Sequence, residues 1–342
     1  MNDISADSPT TVYSPVPTGS GALVLHRELE AGLEDYRCAT FDPRWALLPP
    51  SLAVFKDGRS PLIHTLLELS AYLASEQQTT ISTLHNYYLD DFYLQRVDSK
   101  RSLYYRTLLR HQCLRGLERS DTVVAVSDAT YRLIRDDLRL EGRTLAKLKV
   151  IRNGVDCGMF TPPDTRSGRD TCNILFAGNP TSRKGWHYLE AIASELPAHC
   201  RILCTGGLRK LDIAGAGDRI QFLPSRPHEQ MAEVYGAADI FVLPSIREGL
   251  SLAMLEAMAC GLPVVAFDIS SAPEAIDNYK GGILCAPEDA RDLLRALTEL
   301  SENPRMRQEF GALNRERANS EFNLNRMVAE YKELFEDGAH TG

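Results

Sequence analysis

Pro244-Ser-Ile-Arg-Glu-Gly-Leu-Ser-Leu-Ala-Met-Leu-Glu-Ala-Met-Ala-Cys-Gly-Leu-Pro-Val-Val-Ala-Phe-Asp268 carries two glutamates, Glu248 and Glu256, eight residues apart. The run reads as a strand end, a glycine loop, a helix from about Leu250 to Cys260, a stop at Gly261 and a second buried strand. Glu248 falls at the carboxyl end of the first strand, beside a helix N-terminus whose free N–H groups can receive an anion. Glu256 lies about one and a half turns along the helix from Leu250. A carboxylate there can take two vicinal hydroxyls of a ribose if its face borders the same crevice. An anion at the helix end with a polyol on the flanking carboxylates describes a site for a sugar nucleotide.

Working outward, Phe176-Ala-Gly-Asn-Pro-Thr-Ser-Arg-Lys-Gly185 joins a strand to a helix. Gly178 lets a phosphate approach the backbone, and Arg183 and Lys184 can neutralise a diphosphate. The loop lacks Walker spacing, and alone it also fits a simple β–α turn. Its position, matching that of the Glu248 loop, favours the functional reading. Thr18-Gly19-Ser20-Gly21 is the corresponding loop of the first half, where Gly19 and Gly21 permit close passage of a sugar or an acceptor; the alternative is a solvated turn. His85 follows the strand-like run Thr79–Leu84. At a strand's carboxyl end it faces a cleft rather than the core, and can hydrogen-bond a sugar hydroxyl or the charge developing at an anomeric carbon. Arg152-Asn-Gly-Val-Asp156, unaided, is a structural turn.

Both halves alternate short apolar runs with helical stretches. In the first, strands are expected at Thr11–Ser14, Ser51–Phe55, Thr79–Leu84, Asp121–Ser127 and Lys147–Ile151. Helices are expected from Ala22 to about Ala31, within Pro61–Leu73, from about Ser99 to Leu117 and over Asp128–Leu138, the last capped by Ser127. A polar linker, Pro162–Asp170, precedes a second series: strands at Asn173–Ala177, Arg201–Cys204, Ile220–Leu223, Ile240–Leu243 and Pro263–Phe267, with helices at Trp186–Leu196, Pro227–Ala237, Glu288–Leu300 and Asn323–Phe335. Near-continuous apolar strands between helices indicate parallel sheets covered on both faces. The fold expected is α/β: two facing, Rossmann-like, doubly wound parallel-sheet domains. Ligands of such sheets bind beyond the carboxyl ends of the strands, which sets the site in an interdomain cleft. The boundaries follow as residues 1–162, 163–322 and a closing helix over 323–342.

Composition narrows the class. The 342 residues, 44% hydrophobic and 25% charged, describe a soluble globular protein of two ordinary domains. A net charge of −8 gives no general case for nucleic acid, and no stretch approaches a membrane span. Residues 1–10 lack the apolar region of a secretory signal, and the eight cysteines are scattered through apolar runs. Both point to a reducing, cytoplasmic setting. Cys200 and Cys204 stand alone, so no metal is expected, and no cofactor. From Arg96 to Arg152, however, 14 Lys/Arg face 7 Asp/Glu. This is either a solvated helical face or a surface for an acceptor or an anionic membrane at the inner face, with Tyr104 and Tyr105 beside the charges.

These motifs together resemble the retaining glycosyltransferases of the GT-B class, specifically family 4, the glycogen-synthase and sucrose-synthase group. The block from Pro244 to Val265 matches the diagnostic signature of that family. Asn153–Asp156 with Phe160, Val123–Ser127, Glu274 and Gly282 fall where the family has its counterparts. The resemblance covers nearly the whole second domain and thins in the first. It implies that Glu248 holds donor-sugar hydroxyls, that the backbone of Gly249, Leu250 and Ser251 takes the diphosphate, and that Glu256 binds the ribose. It further implies that Lys184 neutralises the leaving group, that His85 stands near the donor sugar and that Gly19 and Gly21 form the flexible loop. The last helix would brace the first domain.

The implied donor is a UDP-, GDP- or ADP-linked sugar; the acceptor, a saccharide, a lipid-linked or a small molecule, stays open. In one place the chain departs from the family, which has Gly-Arg after the first strand of its second domain where this chain has Gly178-Asn179. Losing that charge leaves Arg183, or else Arg247, to reach the same phosphate oxygens. Two other readings share the architecture: a catalytically silent binding or scaffold protein, and a nucleotide-sugar epimerase or hydrolase.

Overall fold

The computed structural model describes residues 11–19, 21–163, 170–205 and 219–340. Ser20 and most of the expected linker, 164–169, lie outside the described residues. The chain forms two compact units: one runs to Asn153 and resumes at Asn325, the other is Gly154–Leu324.

The first unit is built on strands β1 (Val12–Pro17), β2 (Tyr36–Phe41), β3 (Leu62–Leu66), β4 (Thr79–Leu84), β5 (Thr122–Ala125) and β6 (Leu148–Val150). All neighbours are parallel, in the order β2-β1-β3-β4-β5-β6. Every residue of β3 is buried, so the sheet is covered on both faces. The second unit has β7 (Cys172–Ala177), β8 (Cys200–Thr205), β9 (Ile220–Leu223), β10 (Ile240–Leu243), β11 (Val264–Phe267) and β12 (Gly282–Cys285), parallel in the order β12-β11-β10-β7-β8-β9. Chain order reverses between β7 and β10, which makes their carboxyl ends the topological switch point of this sheet.

Three expectations of local structure are corrected. Ser51–Phe55 is no strand: Pro49–Phe55 winds into 3-10 turns, with proline at their first positions, and Val54 stands in solvent. The strand forms instead at Leu62–Leu66, inside the stretch expected to be helical; only Leu67–Leu73 of that stretch is a helix. A short run buried on both faces has no two-residue alternation, so periodicity cannot tell it from a helix. The helical stretch from Ser99 to Arg119 is continuous but passes through a π-helical segment, Tyr105–Leu109.

The chain leaves the first unit at Asn153 and not at 162. Val155 N–H donates to the Phe322 carbonyl at 2.8 Å and Leu324 N–H to the Val155 carbonyl at 3.0 Å, which binds the Asn153–Asp156 turn to the second unit. Arg315 then clamps the segment that follows the turn, Cys157 to Phe160, to the Glu256 helix. Its guanidinium donates to the carbonyls of Phe160 at 2.6 Å, Ala259 at 2.7 Å and Cys157 at 2.9 Å. The closing helix, Leu324–His340, packs on the first unit, where Thr79 donates to the Gly338 carbonyl at 3.2 Å and Tyr331 Oη lies 3.0 Å from Thr83 Oγ1.

Candidate active site

Two loops leave the switch point of the second unit, one after β7 and one after β10. Backbone fastens them together: Ile246 N–H donates to the Arg183 carbonyl at 3.0 Å. Gly185, which starts the helix Trp186–Ile192, has φ +71°, and a Cβ there would stand 1.8 Å from the Pro244 carbonyl oxygen. Only glycine fits this approach. Gly178, with φ +136°, donates its N–H to Thr205 Oγ1 at 3.0 Å. The Lys184 side chain lies across it, so that a Cβ at 178 would sit 3.6 Å from Lys184 Cε.

The loops converge on Glu248. Its Oε1 accepts from Arg183 Nη1 at 2.9 Å and lies 3.0 Å from Lys184 Nζ. Arg183 also donates to the Arg247 carbonyl at 2.7 Å. Burial works to raise the Glu248 pKa, but Arg183 and then Lys184 outweigh it and hold it at about 2. The group is a fixed carboxylate flanked by two cations, one positive charge in excess. Asn179 is exposed on the same loop.

Beyond Glu248, Gly249 and Leu250 are buried and Ser251 caps the helix Leu252–Ala259, its hydroxyl accepting from Met254 N–H. The first-turn residues Leu252 and Ala253 are half-buried, at the end where backbone N–H groups have no partner within the helix. Ser270, at φ +61°, hydrogen-bonds the Glu248 backbone: Glu248 N–H donates to its hydroxyl at 3.2 Å, and the hydroxyl donates back to the Glu248 carbonyl at 2.5 Å.

Glu256 sits farther along the helix with partners of its own. His228 Nε2 is 2.8 Å from Oε1, and the Tyr235 hydroxyl donates to Oε2 at 2.6 Å. Burial first, then Glu256, pushes the Tyr235 phenol far above its usual pKa, so it remains a donor. Phe160 packs against both partners, its ring centroid 5.4 Å from that of His228 and 5.8 Å from that of Tyr235. Nothing in the sequence singled out His228 or Tyr235; each meets Glu256 only through the fold.

Contacts therefore bring Gly178, Arg183, Lys184, Glu248, Gly249, Leu250 and Ser251 together, with Glu256 on the helix that follows. His85 and the glycines Gly19 and Gly21 belong to the first unit. Gly19, at φ +75°, and Gly21 flank the start of the helix Gly21–Gly32, and a Cβ on either would meet open space. His85 follows β4 beside a buried polar chain that the sequence did not suggest. Ser14 Oγ and Tyr36 Oη each lie 2.7 Å from His26 Nδ1, Tyr36 Oη is 2.8 Å from His64 Nδ1, and His64 Nε2 is 2.7 Å from Thr83 Oγ1. The His26 and His85 rings are 5.7 Å apart, and His85 Nε2 is buried without a hydrogen-bond partner among the described residues. Burial pushes the His85 pKa down to about 4.

All eight cysteines are free and buried. Among the described residues no group of three or more His, Cys, Asp or Glu is placed to hold a metal, and no helix is long and apolar enough to cross a membrane.

Two Rossmann-like parallel sheets, the second with a cation-flanked carboxylate at its switch point, define the GT-B class. Residues 171–303 match the family described as Glycosyl transferases group 1, and residues 35–158 match Glycosyltransferase Family 4. The chain belongs to glycosyltransferase family 4. D-inositol 3-phosphate glycosyltransferase of Mycobacteroides abscessus is 33% identical over 174 residues, covering 45% of this chain and 39% of that protein. That of Mycolicibacterium smegmatis is 32% identical, covering 45% and 40%. The chain thus spans about two fifths of the length of these curated relatives. Sucrose-phosphate synthase from Thermosynechococcus elongatus has a similar fold, with a TM-score of 0.82 at 20% identity over 97% of this chain and 100% of that one. Anabaena HepE, solved with UDP and glucose, gives 0.78 at 17% identity over 96% and 99%.

Proposed function

We propose that the chain transfers a sugar from a nucleoside diphosphate sugar to an acceptor hydroxyl with retention at the anomeric carbon. The observation that carries this reading is the pair of cations, Arg183 and Lys184, on one oxygen of Glu248 beside a helix N-terminus. A diphosphate bound there takes the two cations and the first-turn N–H groups, and Glu248 turns to the donor-sugar hydroxyls. Held ionised, Glu248 binds and orients and gives no proton. The anomeric carbon–phosphate oxygen bond breaks as the acceptor oxygen attacks on the same face, and the acceptor proton passes to the leaving phosphate. Lys184 and Arg183 stabilise the charge that develops on that phosphate.

Glu256 receives the ribose on the lone pairs that His228 and Tyr235 leave open. The neutral His85, with Nε2 unpaired, accepts a hydrogen bond from a donor-sugar hydroxyl or donates one to it. The curated relatives are named for D-inositol 3-phosphate. For this chain the proposal extends to a hydroxyl-bearing acceptor, saccharide, lipid-linked or small, met in the cytoplasm or at the inner face of a membrane.

The test is thermal shift and product formation with UDP, GDP, ADP and their common sugars, for the wild type and Glu256→Ala. One diphosphate nucleoside should stabilise the wild type and not the variant, and its sugar should be consumed. A folded protein that neither binds nor turns over any of them overturns the proposal in favour of a silent binding protein.

A further inference from the structure

Among the described residues, ten large hydrophobic side chains stand in solvent, and eight of them fall in two strips of the first unit. Singly exposed apolar residues need no explanation, but such clustering does. The first strip lies on the helical stretch Ser99–Arg119, which exposes Leu103, Tyr104, Leu108 and Leu114. Positions 103, 107, 111 and 114 recur on one side of a helix, with 104, 108 and 115 adjoining them. The other side is buried through Gln112, Cys113, Gly116 and Leu117; a Cβ on Gly116 would stand 2.0 Å from the Leu67 carbonyl oxygen.

The second strip is the pair of 3-10 turns Pro43–Leu47 and Pro49–Phe55. It leaves Leu47 70%, Leu48 71% and Val54 68% exposed, with Trp45 beside them. The Trp45 ring meets Phe55 edge-on at 5.4 Å, and Phe55 stacks on Phe41 at 5.0 Å, which fixes the strip on the core. The Pro49–Phe55 turn and the Arg110–Arg119 helix both pack against the helix Leu67–Leu73, so the strips flank a single element.

Charge selects the occupant. Over 99–119 six basic residues face one acidic residue, Glu118, in a chain whose net charge is −8. Lys100 and Arg115 are exposed and have no ion pair among the described residues. Among the described residues Arg106 and Arg110 pair with Asp91 and Asp137, at 3.2 and 3.6 Å. Exposed Lys56 and Arg59 follow the second strip. A second copy of the chain would set the same cations against each other, and a nucleic acid would leave the leucines in water. Leucines with an indole and a phenol, rimmed by cations, match the layered chemistry of an anionic bilayer surface.

We propose that this face of the first unit docks on an anionic membrane, Leu47, Leu48, Leu103 and Leu108 entering the headgroup–acyl boundary and Lys100 and Arg115 meeting lipid phosphates. This deepens the proposed function, on which it rests, by naming the surface that holds the enzyme beside a membrane-borne acceptor.

Co-sedimentation of the full chain with vesicles of phosphatidylcholine, alone or mixed with phosphatidylglycerol, tests it. Binding is expected only with the anionic lipid, weakened by salt, roughly tenfold weaker in Lys100→Glu/Arg115→Glu and lost in Leu48→Glu/Leu103→Glu. Circular dichroism and nucleotide thermal shift on the same samples show whether each variant is folded and its donor site intact. Wild type that ignores anionic vesicles, binds neutral ones equally, or binds as well after both double substitutions overturns the proposal. So does a dimer, seen by light scattering, that the leucine substitutions dissolve in place of vesicle binding. Vesicle binding without any nucleotide response leaves the docking standing and removes the transferase reading; the converse pattern removes only the docking.

Discussion

The Arg183 guanidinium donates to the Glu248 carboxylate at 2.9 Å, although 65 positions separate the two residues in sequence. The contact joins the loops after β7 and β10, and under the proposed function Arg183 takes the place of the arginine that the family has at 179. Arg183→Ala should lower kcat/KM for the donor roughly 10- to 100-fold, the size of a lost charge-assisted hydrogen bond. Lys184→Ala should do the same, and the double variant should fall short of the product of the two, because both cations share one carboxylate. Steady-state donor turnover measures all three. Placing arginine at 179 in the Arg183→Ala background should recover part of the loss, and no recovery would show that Arg183 acts elsewhere.

Tyr235 and His228 hold the two oxygens of Glu256, at 2.6 and 2.8 Å. Tyr235→Phe leaves one oxygen of a buried carboxylate without its donor. The expected cost is about 1–3 kcal/mol, a fall in Tm of several degrees. If Glu256 meets the ribose, the same variant should also weaken nucleotide affinity while sparing inorganic diphosphate. Equal weakening of both would place Glu256 in support of the helix alone. Calorimetric titration with a nucleoside diphosphate and with diphosphate separates the two outcomes.

The sites were legible unevenly, for physical reasons. The Glu248–Glu256 segment announced itself because a strand end, a glycine loop and a helix follow one another within a single stretch of chain; the helix starts at Leu252, behind a Ser251 cap that the sequence reading places inside it. The partners of Glu256 were silent, since Tyr235 and His228 reach it from another helix and from a 3-10 turn. The same holds for the buried chain through His26, Tyr36 and His64, whose members lie on a helix and two strands and look like isolated polar residues until the sheet forms. Leu62–Leu66 was misread because burial on both faces erases alternation. Pro49 and Pro50 could have warned against a strand at Ser51–Phe55.

Gly185 is set by contact and by dihedral together. Its φ of +71° already disfavours any side chain, and the Pro244 carbonyl stands where a Cβ would lie. Gly185→Ala must therefore push the two loops apart and move Arg183 and Lys184 away from Glu248. We expect a loss of more than about 1 kcal/mol of stability with a larger relative loss of donor turnover. Gly58→Ala is the control: Gly58, outside the candidate site, has open space where a Cβ would be, and its stability should change little. Thermal unfolding and turnover of the two variants make the comparison.

The buried histidines of the first unit give a pH dependence whose direction is fixed. Burial, then His85, lowers the His64 pKa from 6.5 to about 3, burial lowers that of His85 to about 4, and His26 is pushed well below its usual value by burial, His64 and His85. Between these folded values and 6.5 the unfolded chain binds more protons than the folded one, so stability rises with pH through that window. It is complete above 6.5 and is lost as pH falls toward 4, each histidine contributing up to ~1.4 kcal/mol per pH unit. Glu248, held at about 2, loses its own contribution only at lower pH, below its unfolded value of 4.5. Unfolding monitored at pH 7, 6 and 5 should therefore show a progressive loss that precedes any effect of the Glu248 carboxylate. His64→Asn should be less stable at pH 7, because Tyr36 and Thr83 lose their partner, yet fall less steeply on acidification. A variant with the wild-type slope would show that His64 does not titrate on unfolding in this window.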